Sequence, residues 1–168
     1  MTWSGRPTGA RLASQKGWTS EADFVGGDRI DQSGVCELIA APNSMMLIPT
    51  DGMSVVACCQ LEARGHGTVY FGTFAVDPGA QARGVGRRVL AEAERIAATR
   101  YGATTLKISV LAPQNQLISY YERQGFHRTS ETGPFPSDPI FARPLVDDLY
   151  FVLLEKDLTT GTNSDAHA

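Results

Sequence analysis

The chain has 168 residues, 42% hydrophobic and 20% charged, with 17 Gly and 9 Pro, a composition that suits one globular domain around a single core and excludes fibrous or disordered classes. A formal net charge of -3, with arginines dispersed except at Arg83, Arg87 and Arg88, argues against a nucleic-acid partner, which calls for a basic excess. Three cysteines form no disulfide framework, and no stretch approaches the ~20 apolar residues of a membrane span or the core of a secretion signal, so a cytoplasmic protein is expected, with no membrane partner.

Residues 1–17 are polar and without period, and residues 1–30 as a whole read as an irregular or divergent N-terminal part. Asp31 or Ser33 can cap a short helix over residues 35–41, which Pro42 stops. Apolar runs at 45–48 and 53–61 flank Asp51-Gly52, a dipeptide that signals a two-strand hairpin. Cys58 and Cys59 fall in the second run and point to opposite faces of the strand. Gly65-His66-Gly67 turns the chain into a third strand over residues 68–76, rich in aromatic and β-branched side chains, and Asp77-Pro78-Gly79 breaks it.

Helical periodicity follows Gly86: Val89, Leu90, Ala93, Ile96 and Ala97 form one stripe, and Gly102 fits the position past the helix end. A strand over 106–111, a short helix over 115–124 ending at Gly125, and strands over 126–130 and 149–154 complete the pattern. The loop between the last two strands carries Pro134, Pro136, Pro139 and Pro144, and residues 159–168 read as a disordered tail behind a single domain spanning 1–158. His66 and His127 have no spaced partners, so no metal site is expected. Trp18 reads as a packing residue, and Phe135 and Phe141 sit in the proline-rich loop.

The stretch that carries chemistry runs Phe74-Ala75-Val76-Asp77-Pro78-Gly79-Ala80-Gln81-Ala82-Arg83-Gly84-Val85-Gly86-Arg87-Arg88. A strand ends, two glycines follow in a short loop, and a helix begins at once. Free N–H groups and the positive end of the helix dipole converge there, where glycines let an anion approach the backbone. The P-loop pattern G-x-x-x-x-G-K-[ST] is absent. A dinucleotide fingerprint fails as well, because Val89 stands where a third small residue is needed and the next strand lacks the acidic residue.

Gln81-Ala82-Arg83-Gly84-Val85-Gly86 does fit Q/R-x-x-G-x-G/A, and here the sequence resembles the GNAT superfamily of acetyl-CoA-dependent N-acetyltransferases. Val76-Asp77-Pro78 before the glycines and Tyr121-Glu122-Arg123-Gln124-Gly125-Phe126 about 40 residues after them extend the resemblance over residues 31–157. It implies an α/β (α+β) fold, a mixed, mostly antiparallel twisted sheet with helices on both faces and a shortened N-terminal strand and helix. It also implies acetyl-CoA as co-substrate and a primary amine, on a small molecule or on a peptide or protein, as acceptor.

By that resemblance the cofactor binds backbone groups of Phe74, Ala75 and Val76, the loop Gln81, Ala82, Arg83, Gly84, Val85, Gly86, Arg87 and Arg88, and Tyr121. The family often places an Asn seven residues before the Tyr. Gln114 holds that position here and Asn115 is next, so either amide can serve. Tyr121 is the expected acid for the departing thiolate, since a phenol of pKa about 10 can share a proton with a thiol of pKa about 8.5. The general base is open: the strand over 68–76 carries no carboxylate, which leaves Glu62, Asp147 or Asp148, or a water relay. The missing carboxylate also keeps a non-catalytic acyl-CoA-binding module in play. With no strand legible in residues 1–17, the uncharged run 45–48 becomes an open sheet edge, and a homodimer is expected unless the natural chain begins earlier.

Overall fold

The structure, a computed structural model, describes residues 24–26, 32–81, 83–135 and 143–159. Its elements are β1 (Val25–Gly26), α1 (Gln32–Ala40), β2 (Ser44–Leu47), β3 (Thr50–Asp51), β4 (Ser54–Val55), β5 (Ala57–Gly65), β6 (Thr68–Val76), α2 (Val85–Tyr101), β7 (Thr105–Leu111), α3 (Asn115–Arg123), β8 (His127–Pro134), β9 (Arg143–Pro144) and β10 (Tyr150–Asp157). The expected irregular segment 1–17, Trp18, Ala82, Phe141 and the tail 160–168 lie outside the described residues.

Six strands form the main sheet in the order β2-β5-β6-β7-β10-β8. All neighbours are antiparallel except β6 and β7, because α2 crosses between them and returns the chain in the same direction. The sheet is therefore mixed and mostly antiparallel, as expected. The apolar run 45–61 is less simple than a single hairpin. Ile48 and Val56 interrupt it, β2 pairs directly with β5, and β3–β4 forms a separate small hairpin that turns at Gly52, whose φ is 66°.

Alternation decides which side chains enter the core. Ala57, Cys59 and Leu61 of β5, Val69 and Phe71 of β6, Leu106, Ile108 and Val110 of β7, and Leu154 of β10 share one buried cluster with the α2 stripe. That stripe is Val85, Val89, Leu90, Ala93 and Ala97, with Ile96 half-buried at its margin. Gly102 takes φ 60° just past α2 and donates its N–H to the Ala97 carbonyl, the left-handed helix end that the sequence signalled. Lys156 of β10 donates to Glu94 of α2 at 2.7 Å, clamping helix to sheet. Ile118 and Tyr121 bring α3 into the same core, and a smaller cluster gathers Leu111, Phe135 and Leu149.

The cysteines separate as the strand pattern requires: Cys36 is exposed, Cys58 half-buried and Cys59 buried. Burial pushes the Cys59 thiol up to about 12 and raises that of Cys58 as well. Alkylation of the native protein at pH 8 should therefore mark Cys36 first, Cys58 slowly, and Cys59 only after denaturant is added. Rapid labelling of Cys59 without denaturant, read by peptide mass spectrometry, would contradict this packing. The linkage has a definite sign. The folded state holds the Cys59 proton more tightly than the unfolded chain, so this contribution is complete below about pH 9 and is lost as pH climbs toward 12.

Candidate active site

The site begins where two strands part. β6 and β7 pair only at Thr68↔Thr105, Val69↔Leu106 and Tyr70↔Lys107. Beyond Tyr70 they diverge, and residues 71–76 and 108–111 present backbone edges to a wedge rather than to each other. On its far edge β6 stays paired with β5 through Ala57↔Val76, and the Asp77 N–H donates to the Val56 carbonyl at 2.8 Å. Antiparallel alternation then points the Val76 N–H and carbonyl away from β5, into the wedge.

β6 is also bent. Between Cys58↔Ala75 and Gln60↔Gly72 the register shifts, so β6 has one residue more than β5 can match. The extra residue is accommodated around Thr73, whose φ of 48° is left-handed and costly for a β-branched side chain.

The loop that follows is built by its own side chains. The Asp77 carboxylate accepts from the Gly79 N–H at 2.6 Å and the Asp77 carbonyl accepts from Ala80 and Gln81 N–H at 2.8 and 3.0 Å. The Gln81 amide donates back to the Val76 carbonyl at 3.3 Å, leaving the Val76 N–H as its group facing the wedge. Gly84 stands at the N-cap of α2 with φ 72°, no side chain caps the helix, and a Cβ built there would meet nothing within 4 Å. The start of α2, residues 85–87, thus offers its amides to a space that an anion can enter, and the Arg88 N–H makes the first helical bond, to the Gly84 carbonyl at 3.2 Å. Arg83, Arg87 and Arg88 are exposed around it, and Arg83 lies 3.9 Å from Asp51 on the β3–β4 hairpin.

A Cβ on Gly86 would come within 3.5 Å of the Phe74 ring, 3.7 Å of Val76 and 3.7 Å of the Tyr120 hydroxyl. The end of β6, the start of α2 and the middle of α3 therefore converge on Gly86. Tyr120, which adjacency to Tyr121 alone marks as a packing residue, places its hydroxyl at the glycine loop. Burial raises its pKa, partly offset by Arg87 and Arg123. The approach of the Tyr120 hydroxyl to Gly86 spans 34 residues of chain, so no local signal reveals it.

Tyr121 lies deeper, 5% exposed, edge-on to Phe126 with ring centroids 5.6 Å apart and to Tyr120 at 5.3 Å. Burial, with smaller contributions from Tyr120, Cys59 and Tyr70, drives its hydroxyl well above the usual phenol range. Gln114 is buried and Asn115 exposed immediately before and at the start of α3.

Glu62 sits opposite Tyr70 across the β5–β6 ladder and accepts from Arg64 Nε and Nη2 at 3.3 and 3.1 Å, both on Oε2. The Arg64 guanidinium in turn lies 3.9 Å over the Tyr70 ring. Asp147 and Asp148 are exposed in the turn before β10. Among the described residues, no cluster of His, Cys, Asp or Glu is arranged to hold a metal ion.

A wedge between two parallel strands thus ends at a glycine-capped helix start. The family model described as the Acetyltransferase (GNAT) family matches residues 13–126, and the chain belongs to that family. A search of curated protein sequences gives no match. Among solved structures, the ribosomal-protein-S18-alanine N-acetyltransferase from Escherichia coli is 16% identical with a TM-score of 0.65, over 94% of this chain and 90% of that one. A GNAT family acetyltransferase from Elizabethkingia anophelis with acetyl-CoA bound is 14% identical with a TM-score of 0.58, over 76% of this chain and 83% of that one. A nourseothricin acetyltransferase is 20% identical with a TM-score of 0.58; the alignment covers 70% of this chain but only 66% of that longer protein. At these identities the likeness is one of fold.

Proposed function

We propose that this protein transfers an acetyl group from acetyl-CoA to a primary amine, by direct attack within a ternary complex. The observation that carries the reading is the wedge between β6 and β7 running straight into the open, glycine-capped N-terminus of α2. Amides of residues 84–87 would take the pyrophosphate, since those of Arg83 and Arg88 bond the Ala80 and Gly84 carbonyls; Arg87 and Arg88 would supply charge, and Gln81 would act by fixing the loop to β6. Backbone groups of Phe74 and Val76 would take the pantetheine arm and thioester carbonyl, those of Ala75 being turned toward β5, with Gln114 or Asn115 as a further amide contact. Acetyl-CoA brings an acyl group already activated as a thioester.

Within that arrangement Tyr121 would give its proton to the departing sulfur. Burial keeps the hydroxyl protonated throughout the neutral range, so the proton is in place, at the cost of a weaker acid. Glu62, one strand away at the level of Tyr70, would take the amine proton directly or through water. The acceptor class is a primary amine, carried by a small molecule or by a peptide or protein. The related folds include an enzyme named for alanine of a ribosomal protein and one named for nourseothricin, and this fold therefore accommodates both kinds.

The reading extends to a cytoplasmic homodimer. Three free cysteines suit a reducing compartment, none of the described helices is long and apolar enough to cross a membrane, and β2 forms one edge of the main sheet among the described residues. Incubating the protein with acetyl-CoA and an amine library while following free thiol tests the function. Amine-dependent thiol release is expected. Cofactor binding without release for any amine would instead favour the non-catalytic acyl-CoA module, which the absence of a carboxylate on β6 keeps as the second reading.

A further inference from the structure

We infer that Gln60 is a positioning residue, which clamps the Thr73 bulge and so aims the backbone of residues 74–76 at the thioester carbonyl. The inference rests on the proposed acetyl-CoA site and names a part of it that no sequence motif marks.

Gln60 is a polar side chain only 6% exposed, in the middle of β5. Such a group is costly to bury unless both ends of its amide find partners. Here both do. Its Nε2 donates to Ser44 Oγ of β2 at 2.9 Å, and its Oε1 accepts from Thr73 Oγ1 of β6 at 3.2 Å. The chain Ser44–Gln60–Thr73 thus crosses three adjacent strands and ends on the one β6 residue with left-handed φ. A second bond reaches the same residue, from the Cys58 thiol to the Thr73 carbonyl at 3.6 Å.

A threonine at φ 48° persists only where its surroundings over-determine it. The clamp supplies that determination. Without it, an unbulged ladder would relieve the strain by shifting the end of β6 one residue along β5. A one-residue slip reverses which N–H groups face the wedge. It would turn the Val76 N–H back toward β5 and present other groups to the acyl carbonyl. The glycine loop begins beyond this point and is held by bonds of its own, from the Gly79, Ala80 and Gln81 N–H groups to Asp77, so pyrophosphate binding would be spared.

The test exploits that separation, using two probes that share the pyrophosphate: acetyl-CoA, and ADP, which lacks the pantetheine arm and the acyl group. For Gln60→Leu, calorimetry should show acetyl-CoA affinity falling roughly fivefold, the loss of about one amide–carbonyl hydrogen bond, while ADP affinity changes by less than about twofold. Thr73→Val, which removes only the hydroxyl, should give the same selective loss, and it keeps the test available should the leucine variant misfold. Glycine adopts left-handed φ without a clamp, so adding Thr73→Gly to Gln60→Leu should restore acetyl-CoA binding. Equal weakening of both ligands, no weakening, or no restoration by glycine in a folded double variant overturns the role of Gln60. Failure of the unmodified protein to bind either ligand overturns the acetyl-CoA reading itself, and the inference with it.

Discussion

Acetyl-CoA at a hundredfold excess over its dissociation constant is expected to raise the melting temperature by roughly 5–10 °C. A ligand that binds only the folded state stabilises by ~2.7 kcal/mol at that excess, and each kcal/mol shifts the midpoint of a chain this long by about 2–4 °C. Gly86→Val should remove the shift. The position is helical and a Cβ there is in ordinary contact with Phe74, Val76 and Tyr120, so the backbone tolerates it. The two added methyl groups, however, enter the space in which β6, α2 and α3 converge. Gly84 is the poorer test site, because its φ of 72° makes any side chain there strained and would confuse lost binding with lost stability. Differential scanning fluorimetry with acetyl-CoA and NAD in parallel decides the matter. A shift with NAD alone, or an undiminished shift in folded Gly86→Val, would reject the proposed pyrophosphate site.

Tyr121→Phe is expected to lower turnover about 10²-fold while leaving acetyl-CoA affinity within about twofold, the usual gain from a placed general acid. The ring packs against Phe126 and Tyr120, and phenylalanine preserves both contacts. The pH profile gives a second readout. Desolvation holds the Tyr121 proton well above the usual phenol range, so this group should produce no alkaline fall in turnover below about pH 10. The matching experiment on Tyr120→Phe separates the neighbours. Its hydroxyl lies at Gly86, so that variant should raise the KM for acetyl-CoA several-fold and spare kcat. Reversed results, with Tyr120→Phe lowering kcat and Tyr121→Phe silent, would move the acid role to Tyr120.

What the sequence determined by itself is whatever depends on neighbours along the chain. β6 begins at Thr68 and ends at Val76 as expected, because Gly65-His66-Gly67 turns with three positive φ values before it and Asp77-Pro78-Gly79 cannot extend it. The α2 stripe and its Gly102 end follow equally from a 3.6-residue period and a residue able to take left-handed φ. The glycine loop was legible for the same reason: strand end, glycines and helix start are consecutive, and an anion site of this kind is made of backbone. Tertiary structure alone decided the rest. The break of the 45–61 run into β2, the β3–β4 hairpin and β5 depends on pairing across the sheet, to which hydrophobicity along the chain is blind. The wedge exists because β6 and β7 share only three pairs before diverging, a pairing across the sheet that neither strand's own sequence displays. Gln60, Thr73 and Tyr120 carry no motif. Their positions come from a bulge and from the convergence of elements 13 to 34 residues apart, where the physical cause is packing in three dimensions.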